Sequence, residues 1–458
     1  MAKAGGLADV VGALPKYQQK QGHDVSVIMP FYHNKFRETQ SFKNVFKGYA
    51  RLGEITFTFN VLIATDFDPG FNLYMIDIPG LFDRDKIYSY RDDTERFVTF
   101  QTATVNWLCS WEKKIDIVHC HDQHAGFIPF MLSRVWEYRH LARTPTVFTI
   151  HNGEYQGQFS KEKSNYLPPF HSFFQGLVEW NGSLNPMASA IKNAWRVTTV
   201  SPGYMDEIRQ TMSGLEGLLV TEGWKCHGIL NGIDNEVWNP ATDKLLEANY
   251  SAMDVDFGKL ANKKRLCNAF NLDSEKPLFA FIGRLALEKG ADILPDFAFR
   301  ALANHPGEQN ILILGSGEGS LETSLDSIGS SFKANYGSYI GYNEKLAHEI
   351  YAGADFLLMP SKVEPCGLNQ MYALRYGTIP IVRRTGGLKD TVVDMSEGGF
   401  GFCHDHVSSD DLLHAVHRAK QFYQDKKLLS DVRRLIMNID HSWEKSAGEY
   451  LDFYETIK

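Results

Sequence analysis

The sequence of 458 residues lacks any C-x-x-C pair, and its six cysteines, at 109, 120, 226, 267, 366 and 403, are scattered singly. That pattern argues against a disulfide framework or a structural zinc site and makes a reducing cytoplasm the expected compartment. No apolar run approaches the ~18 residues of a membrane span. The opening MAKAGGLADV has no apolar core of the secretory type. Nor is there an excess of positive charge: 47 Lys and Arg stand against 55 Asp and Glu, for a net charge of −8, so bulk nucleic-acid binding has no electrostatic footprint. Hydrophobic residues at 43% and charged residues at 22% exclude wholesale disorder and describe a globular chain.

What is present is a rhythm of short β-branched runs alternating with longer amphipathic stretches. Asp24–Pro30, Leu73–Ile78, Ile115–His121, Thr146–His151 and Arg196–Ser201 read as strands, with helices at Thr94–Trp107 and Gly203–Thr211. The rhythm restarts with Pro277–Ile282, Asn310–Leu314, Asp355–Pro360 and Thr378–Val382. Near-continuous apolar strands separated by helices predict α/β architecture: doubly wound parallel sheets covered on both faces. The polar stretch Asn231–Asp243 interrupts the alternation and marks a junction between two Rossmann-like domains, 1–237 and 238–441. Residues 442–458 then read as a closing helix, with Trp443, Ala447, Tyr450, Leu451 and Tyr454 on one face. The chain opens on a glycine turn and a helix from Leu7 to about Gln21. A doubly wound domain puts such a turn after its first strand, so on this reading the first strand of the N-terminal domain is missing and the natural chain is longer.

In open α/β sheets ligands bind beyond the carboxyl ends of the strands. The polar groups there are His121-Asp122-Gln123-His124, His151-Asn152-Gly153, Gly283-Arg284, Ser361 with Glu364-Pro365-Cys366-Gly367, and Arg383-Arg384-Thr385-Gly386-Gly387. Arg284 and Lys289, five residues apart around a turn, suit a diphosphate: a planar fork and a point charge on neighbouring oxygens. Standing alone they would read as solvated surface charges. Three glycine turns expected to open onto helices, at Gly5-Gly6, Gly315-Ser316-Gly317 and Gly386-Gly387, add backbone N–H groups and helix N-termini and favour phosphate binding. His119 and His121 share a strand face and could ligate a metal, but no second ligand cluster is evident. Asp66 and Asp68 read as turn residues, and Glu364 either caps a helix at Gly367–Tyr376 or grips sugar hydroxyls. Cys366 at that helix start has some thiolate bias but no paired histidine. No G-x-S-x-G elbow supports a serine triad.

Taken together, KAGGLADVV (3–11), HCHDQHAG (119–126), FTIHNGEYQGQF (148–159), TTVSPGYMDEI (198–208), GLEGLL (214–219), LNGIDNEVWNP (230–240), GRLALEKG (283–290), the run from Pro360 to Val392 and SWEKSAGEY (442–450) resemble the blocks of bacterial glycogen synthases and plant starch synthases, in family order. The resemblance implies a glycosyltransferase-B fold, with two Rossmann-like domains facing across a cleft and the last helix crossing back to the first. It implies retaining transfer of glucose from ADP-glucose to the non-reducing end of an α-1,4-glucan such as glycogen, without cofactor or metal and with neither nucleic acid nor membrane as partner. Carried over by position, Lys3, Gly5 and Gly6 would touch the donor diphosphate and glucose. Arg284 and Lys289 would stabilise the departing diphosphate, and His151 and Asp122 would hold the glucose and the reacting centre. Glu364 would meet sugar hydroxyls, and Cys366, Gly367 and Leu368 the sugar and phosphates through their backbone. Thr385, Gly386 and Gly387 join the donor set, Tyr342 would lie beside the adenine, and Tyr88 and Asn231 near the glucose or acceptor. Where the wider superfamily often has a second glutamate stands Tyr372, a loss that starch and glycogen synthases share.

The alternatives are a glycosyltransferase with another donor nucleotide, a nucleotide-sugar epimerase on the same fold, and a glucan-binding relic impaired by the truncated N-terminus. A nicotinamide dehydrogenase is disfavoured because the first glycine loop is Gly5-Gly6-x5-Gly12 rather than G-x-G-x-x-G.

Overall fold

Thr146–Ile150 (TVFTI) is buried at every position, the pattern of a strand covered on both faces. A computed structural model of the chain describes residues 5–458 and shows this strand inside an all-parallel sheet of Cys226–Gly228, Arg196–Thr199, Thr146–Ile150 and Val118–His121, in that order. The chain divides into two compact units, one of residues up to Leu230 together with Trp443–Lys458, the other of Asn231–Ser442.

The first unit holds a second four-stranded sheet in the order Ser26–Pro30, Asn72–Asp77, Ile55–Ala64, Phe42–Leu52. Its first pair is parallel and the other two are antiparallel. Helix Asp93–Leu108 packs Phe97, Phe100, Ala103 and Trp107 onto it, against Phe59, Val61 and Ile76. The hairpin of Phe42–Leu52 and Ile55–Ala64 departs from the expected run of parallel strands. Its signal is local: the period-two alternation of ITFTFNV, and Gly53 at φ 60°, where a tight turn needs the left-handed region. The opening helix, Gly6–Lys20, buries Val10, Leu14 and Tyr17 against Trp443, Ala447 and Tyr450 of the closing helix Trp443–Glu455. The apolar face read from the last residues is therefore buried on an element already in place.

The second unit is one six-stranded parallel sheet, ordered Tyr336–Ile340, Asn310–Gly317, Leu278–Leu285, Phe356–Met359, Ile379–Arg383, Phe402–His404. Leu278–Leu285 is the first strand built and sits centrally, with the chain winding outward to either side. The strand order reverses beside it, between Leu278–Leu285 and Phe356–Met359, which is the crevice where doubly wound sheets bind ligands. Alternate residues of this strand serve opposite faces: Phe279 and Phe281 join one core cluster, and Leu278 and Ala280 another. Gly315 and Gly317 are not in a turn. They belong to strand Asn310–Gly317, and a Cβ on them would lie 2.2 Å from the carbonyl oxygens of Gly283 and Leu285. The glycines are required by strand packing, and helix Gly319–Ser331 begins only after Glu318. No helix among the described residues is long and apolar enough to cross a membrane.

Candidate active site

In the second unit the strand-end loops lock onto one another through backbone contacts. Gly290, at φ 66°, ends the short turn Leu287–Lys289, and a Cβ there would lie 2.1 Å from the Pro360 carbonyl oxygen. The N–H groups of Lys362 and Val363 donate to the Glu288 carbonyl at 2.8 and 3.2 Å. From the other side Arg383 donates through Nε to the Ser361 carbonyl at 2.7 Å and through Nη2 to that of Lys362 at 2.6 Å. Gly387 N–H donates to the Glu364 carbonyl at 3.1 Å, and Gly386, at φ 43°, passes so close that a Cβ would lie 2.1 Å from that oxygen.

This clamp fixes Glu364, whose carboxylate is buried. Lys289 Nζ reaches both of its oxygens at 2.7 Å, and Ser361 Oγ donates to Oε2 at 2.9 Å. Arg284 differs. Its side chain is 70% exposed and its guanidinium pairs with Glu288. Burial pushes the Cys366 thiol up to about 12, so the thiolate bias expected from its place before a helix is overridden. Gly367 takes φ 74° ahead of Leu368 and helix Asn369–Arg375, which starts two residues later than the sequence suggests. Gln370 Nε2 donates to the Cys366 and Gly367 carbonyls at 3.1 and 3.0 Å, closing that turn. Thr385 is buried at the start of helix Gly386–Thr391. Asn231 is buried, its backbone bonds the Cys366 thiol, and its Oδ1 has no partner among the described residues. Tyr342 is 82% exposed just beyond strand Tyr336–Ile340.

In the first unit strand Val118–His121 runs into Asp122, which adopts φ 54°. The Asp122 carboxylate accepts from the His151 N–H at 2.8 Å and from the Asn152 N–H. Burial nonetheless raises it to about 7, because two backbone donors only partly replace lost hydration. His151 Nε2 lies 3.0 Å from His121 Nδ1, and His121 stacks on His119 with ring centroids 4.2 Å apart. His119 uses both nitrogens, one with Tyr454 Oη and the other with Thr149 Oγ1, each at 2.6 Å. Neither is left for a metal, and no group of three or more ligating side chains gathers elsewhere among the described residues. Tyr88 is half-exposed, next to Ser89 at φ 75°, where the Ser89 and Tyr90 N–H groups donate to Asp93 Oδ2 at 2.7 and 3.1 Å. Gly5 takes φ 89° as the residue preceding helix Gly6–Lys20. Lys3 lies outside the described residues.

Ser361, Arg383 and His121 all stand at strand ends singled out in the sequence, but their supporting contacts are not visible there: Ser361 under Glu364, Arg383 across the loop, and His121 behind His151. Nothing in the spacing reveals that His121 meets His151, since the contact comes from the pairing of their strands.

A doubly wound sheet with glycine turns and a lysine–carboxylate pair at its switch point, joined to a second α/β unit, fits the glycosyltransferase-B fold. Residues 1–221 match the starch synthase catalytic domain family and residues 262–433 the group 1 glycosyl transferases. The chain belongs to the glycogen and starch synthase family. It is 51% identical over 457 residues to the glycogen synthase of Flavobacterium johnsoniae, covering all of this chain and 97% of that one. It is 37% identical to that of Anoxybacillus flavithermus over 99% of this chain and 95% of the relative. Among solved structures, the catalytic domain of starch synthase IV from Arabidopsis thaliana, bound to ADP and acarbose, is similar with a TM-score of 0.88 at 32% identity, over 100% of this chain and 96% of that one. Sucrose-phosphate synthase from Thermosynechococcus elongatus shares the fold, with a TM-score of 0.62 at 17% identity over 99% and 94% of the two chains.

Proposed function

We propose that this chain transfers glucose from ADP-glucose to the non-reducing end of an α-1,4-glucan with retention of configuration, releasing ADP. The observation that carries the reading is the Lys289–Glu364 pair, with both oxygens at 2.7 Å, held at the switch point of the parallel sheet. Breaking the anomeric C–O bond builds positive charge on the sugar and negative charge on the leaving diphosphate. Only groups that favour this separated charge over the ground state accelerate the step. Lys289 and Arg284 are assigned to the diphosphate. Glu364 is assigned to sugar hydroxyls, from which an anchored carboxylate accepts hydrogen bonds well. The backbone at Cys366, Gly367, Leu368, Thr385, Gly386 and Gly387 completes the donor site, with Tyr342 beside the base and Asn231 and Tyr88 toward the sugar or acceptor. Lys3, Gly5 and Gly6 are assigned to the diphosphate and glucose from the first unit.

His151 and Asp122 are assigned to the glucose. Asp122 does not suit a nucleophile, since its carboxylate already accepts two backbone N–H groups. Same-face attack, with the departing phosphate taking the acceptor's proton, needs no such nucleophile. Residues 1–237 form the acceptor-side domain in this reading, 238–441 the donor-side domain, and 442–458 return to the first. The reaction is placed in the cytoplasm, in keeping with six cysteines that are all free thiols.

The test is incorporation of labelled glucose into glycogen from ADP-glucose and from UDP-glucose, with and without EDTA. Preference for ADP-glucose, unaffected by chelation, is expected. Preference for UDP-glucose overturns the donor assignment, and donor turnover without glucan overturns glucan transfer.

A further inference from the structure

Behind His151 lies a row of groups to which neither the comparisons nor the family-derived assignments above give a role. Strands Val118–His121 and Thr146–Ile150 are paired in parallel, with His119 opposite Val147 and His121 opposite Thr149. Residues two apart share a face, so His119 and His121 on one strand meet Thr149 and His151 on and just beyond the other. The contacts repeat along the strands: His119 Nε2 to Thr149 Oγ1 at 2.6 Å, then His121 Nδ1 to His151 Nε2 at 3.0 Å. The row is anchored at its far end by Tyr454 of the closing helix, which bonds His119 Nδ1 at 2.6 Å. His119 in turn fixes the plane of His121 by stacking, 29° from parallel.

We propose that His121 is a positioning residue for the transfer reaction, holding the ring orientation of His151 and coupling its tautomer to that of His121 through the Nδ1···Nε2 hydrogen bond. A neutral imidazole carries a single N–H. The bond therefore forms only when one ring has its proton on that line and the other does not, which excludes half the tautomer combinations. Burial keeps both rings neutral: it pushes His121 down to about 4 and His151 well below its usual value. With Nε2 occupied by His121, Nδ1 is the His151 nitrogen left for a sugar hydroxyl. Fixing the proton on one side decides whether Nδ1 donates or accepts. An imidazole held by a partner behind it commonly owes that partner tenfold to a hundredfold in function, as known for the supports of metal-bound histidines.

The proposal rests on the assignment of His151 to the glucose, and the experiment separates the two. His121→Phe keeps the ring and the stacking but removes the bond. His121→Asn keeps a short amide at the Nδ1 position. Kinetics with ADP-glucose and glycogen are compared for both, for His151→Ala, and for His121→Phe in the His151→Ala background, with melting curves to check folding. The expected result is roughly a ten- to hundredfold loss of kcat/KM in His121→Phe, recovery to within a few-fold in His121→Asn, and no further loss in the double variant. Normal turnover in His121→Phe, or a loss that adds fully to that of His151→Ala, overturns the proposal. If His151→Ala itself is fully active, the sugar-binding assignment fails instead. The bond is then judged by 15N signals of labelled histidine. A shift in the His151 tautomer balance in His121→Phe supports it, and unchanged signals in the variant overturn it.

Discussion

Lys289 and Glu364, 75 residues apart in sequence, form a two-pronged ion pair with both N–O distances at 2.7 Å, so the cation assigned to the donor phosphates already has an anionic partner. The pair is held by the loop clamp rather than by either side chain's own preference. Glu364 also keeps the Ser361 hydroxyl, so it stays oriented when Lys289 turns toward a phosphate.

Lys289→Ala leaves a buried carboxylate with one neutral donor. Breaking a fully buried pair costs about 3–5 kcal/mol and an exposed one at most about 1. The Lys289 side chain is 25% exposed, so a loss of about 2 kcal/mol is expected. Turnover should fall about 10²–10³-fold if Lys289 acts as one preorganised donor to the leaving group. Adding Glu364→Gln should restore much of the stability and none of the turnover. Recovery of activity in the double variant would show that Lys289 serves only the fold.

Arg284 offers the cleaner separation. With 70% of its side chain exposed and Glu288 as its partner, it carries little of the fold. Arg284→Ala should shift stability within about 0.5 kcal/mol. In contrast, kcat should fall about 10²–10³-fold, with far less change in the binding of the glucan. Steady-state kinetics beside a melting curve decide the matter. Equal turnover in the variant would remove Arg284 from the leaving-group role.

The second unit was largely legible in advance because each of its strands is an apolar run ending in a polar loop, as at Pro277–Ile282 before Gly283-Arg284. Two of its strands, Tyr336–Ile340 and Phe402–His404, escaped because they sit at the sheet edges, where burial is partial or the run is only three residues long. The hairpin of the first unit escaped for another reason. Residues such as Lys43, Asn44 and Lys47 break up its first strand, and antiparallel pairing leaves one face polar. Arg284, Lys289 and Glu364 could be chosen from sequence as strand-end charges. Which of them pair could not, because the Lys289–Glu364 contact depends on Gly290 passing under the Pro360 carbonyl. The row from Tyr454 through His119 and His121 joins residues more than 300 positions apart, beyond the reach of any local pattern.

Gly386 and Gly387 test whether the loop clamp sets the donor site. Gly386 has φ 43°, and a Cβ on either residue would lie 2.1 Å from a backbone oxygen, of Glu364 and of Cys366 respectively. Backbone cannot yield as a flexible side chain can, so Gly386→Ala must displace the loop that carries Glu364. A destabilisation of about 1–3 kcal/mol is expected, in line with strained non-glycine positions. The KM for ADP-glucose should rise while the affinity of an isolated glucan oligomer changes little. A variant with unaltered KM and melting temperature would mean that the two loops move independently.

Acid should weaken the first unit through its buried histidines, with Asp122 working against them. Burial pushes His121 and His124 down to about 4 from 6.5, and His119 and His151 well below 6.5. Below pH 6.5 the unfolded chain binds protons that the folded unit refuses, so stability falls as pH drops from about 6.5 toward 4. Asp122 has the opposite sign. Its carboxyl, raised from 3.8 to about 7, holds a proton in the folded state that the unfolded chain has lost. Between those values its contribution improves as pH falls. Four imidazoles outweigh one carboxyl, and the net slope is toward acid lability. Asp122→Asn removes the opposing contribution, so its melting temperature should fall more steeply than that of the unaltered protein between pH 7 and 5. Its advantage over the unaltered protein should be greatest above pH 7. Calorimetric melts at several pH values give both slopes, and parallel curves for the two proteins would show that Asp122 does not titrate in this range.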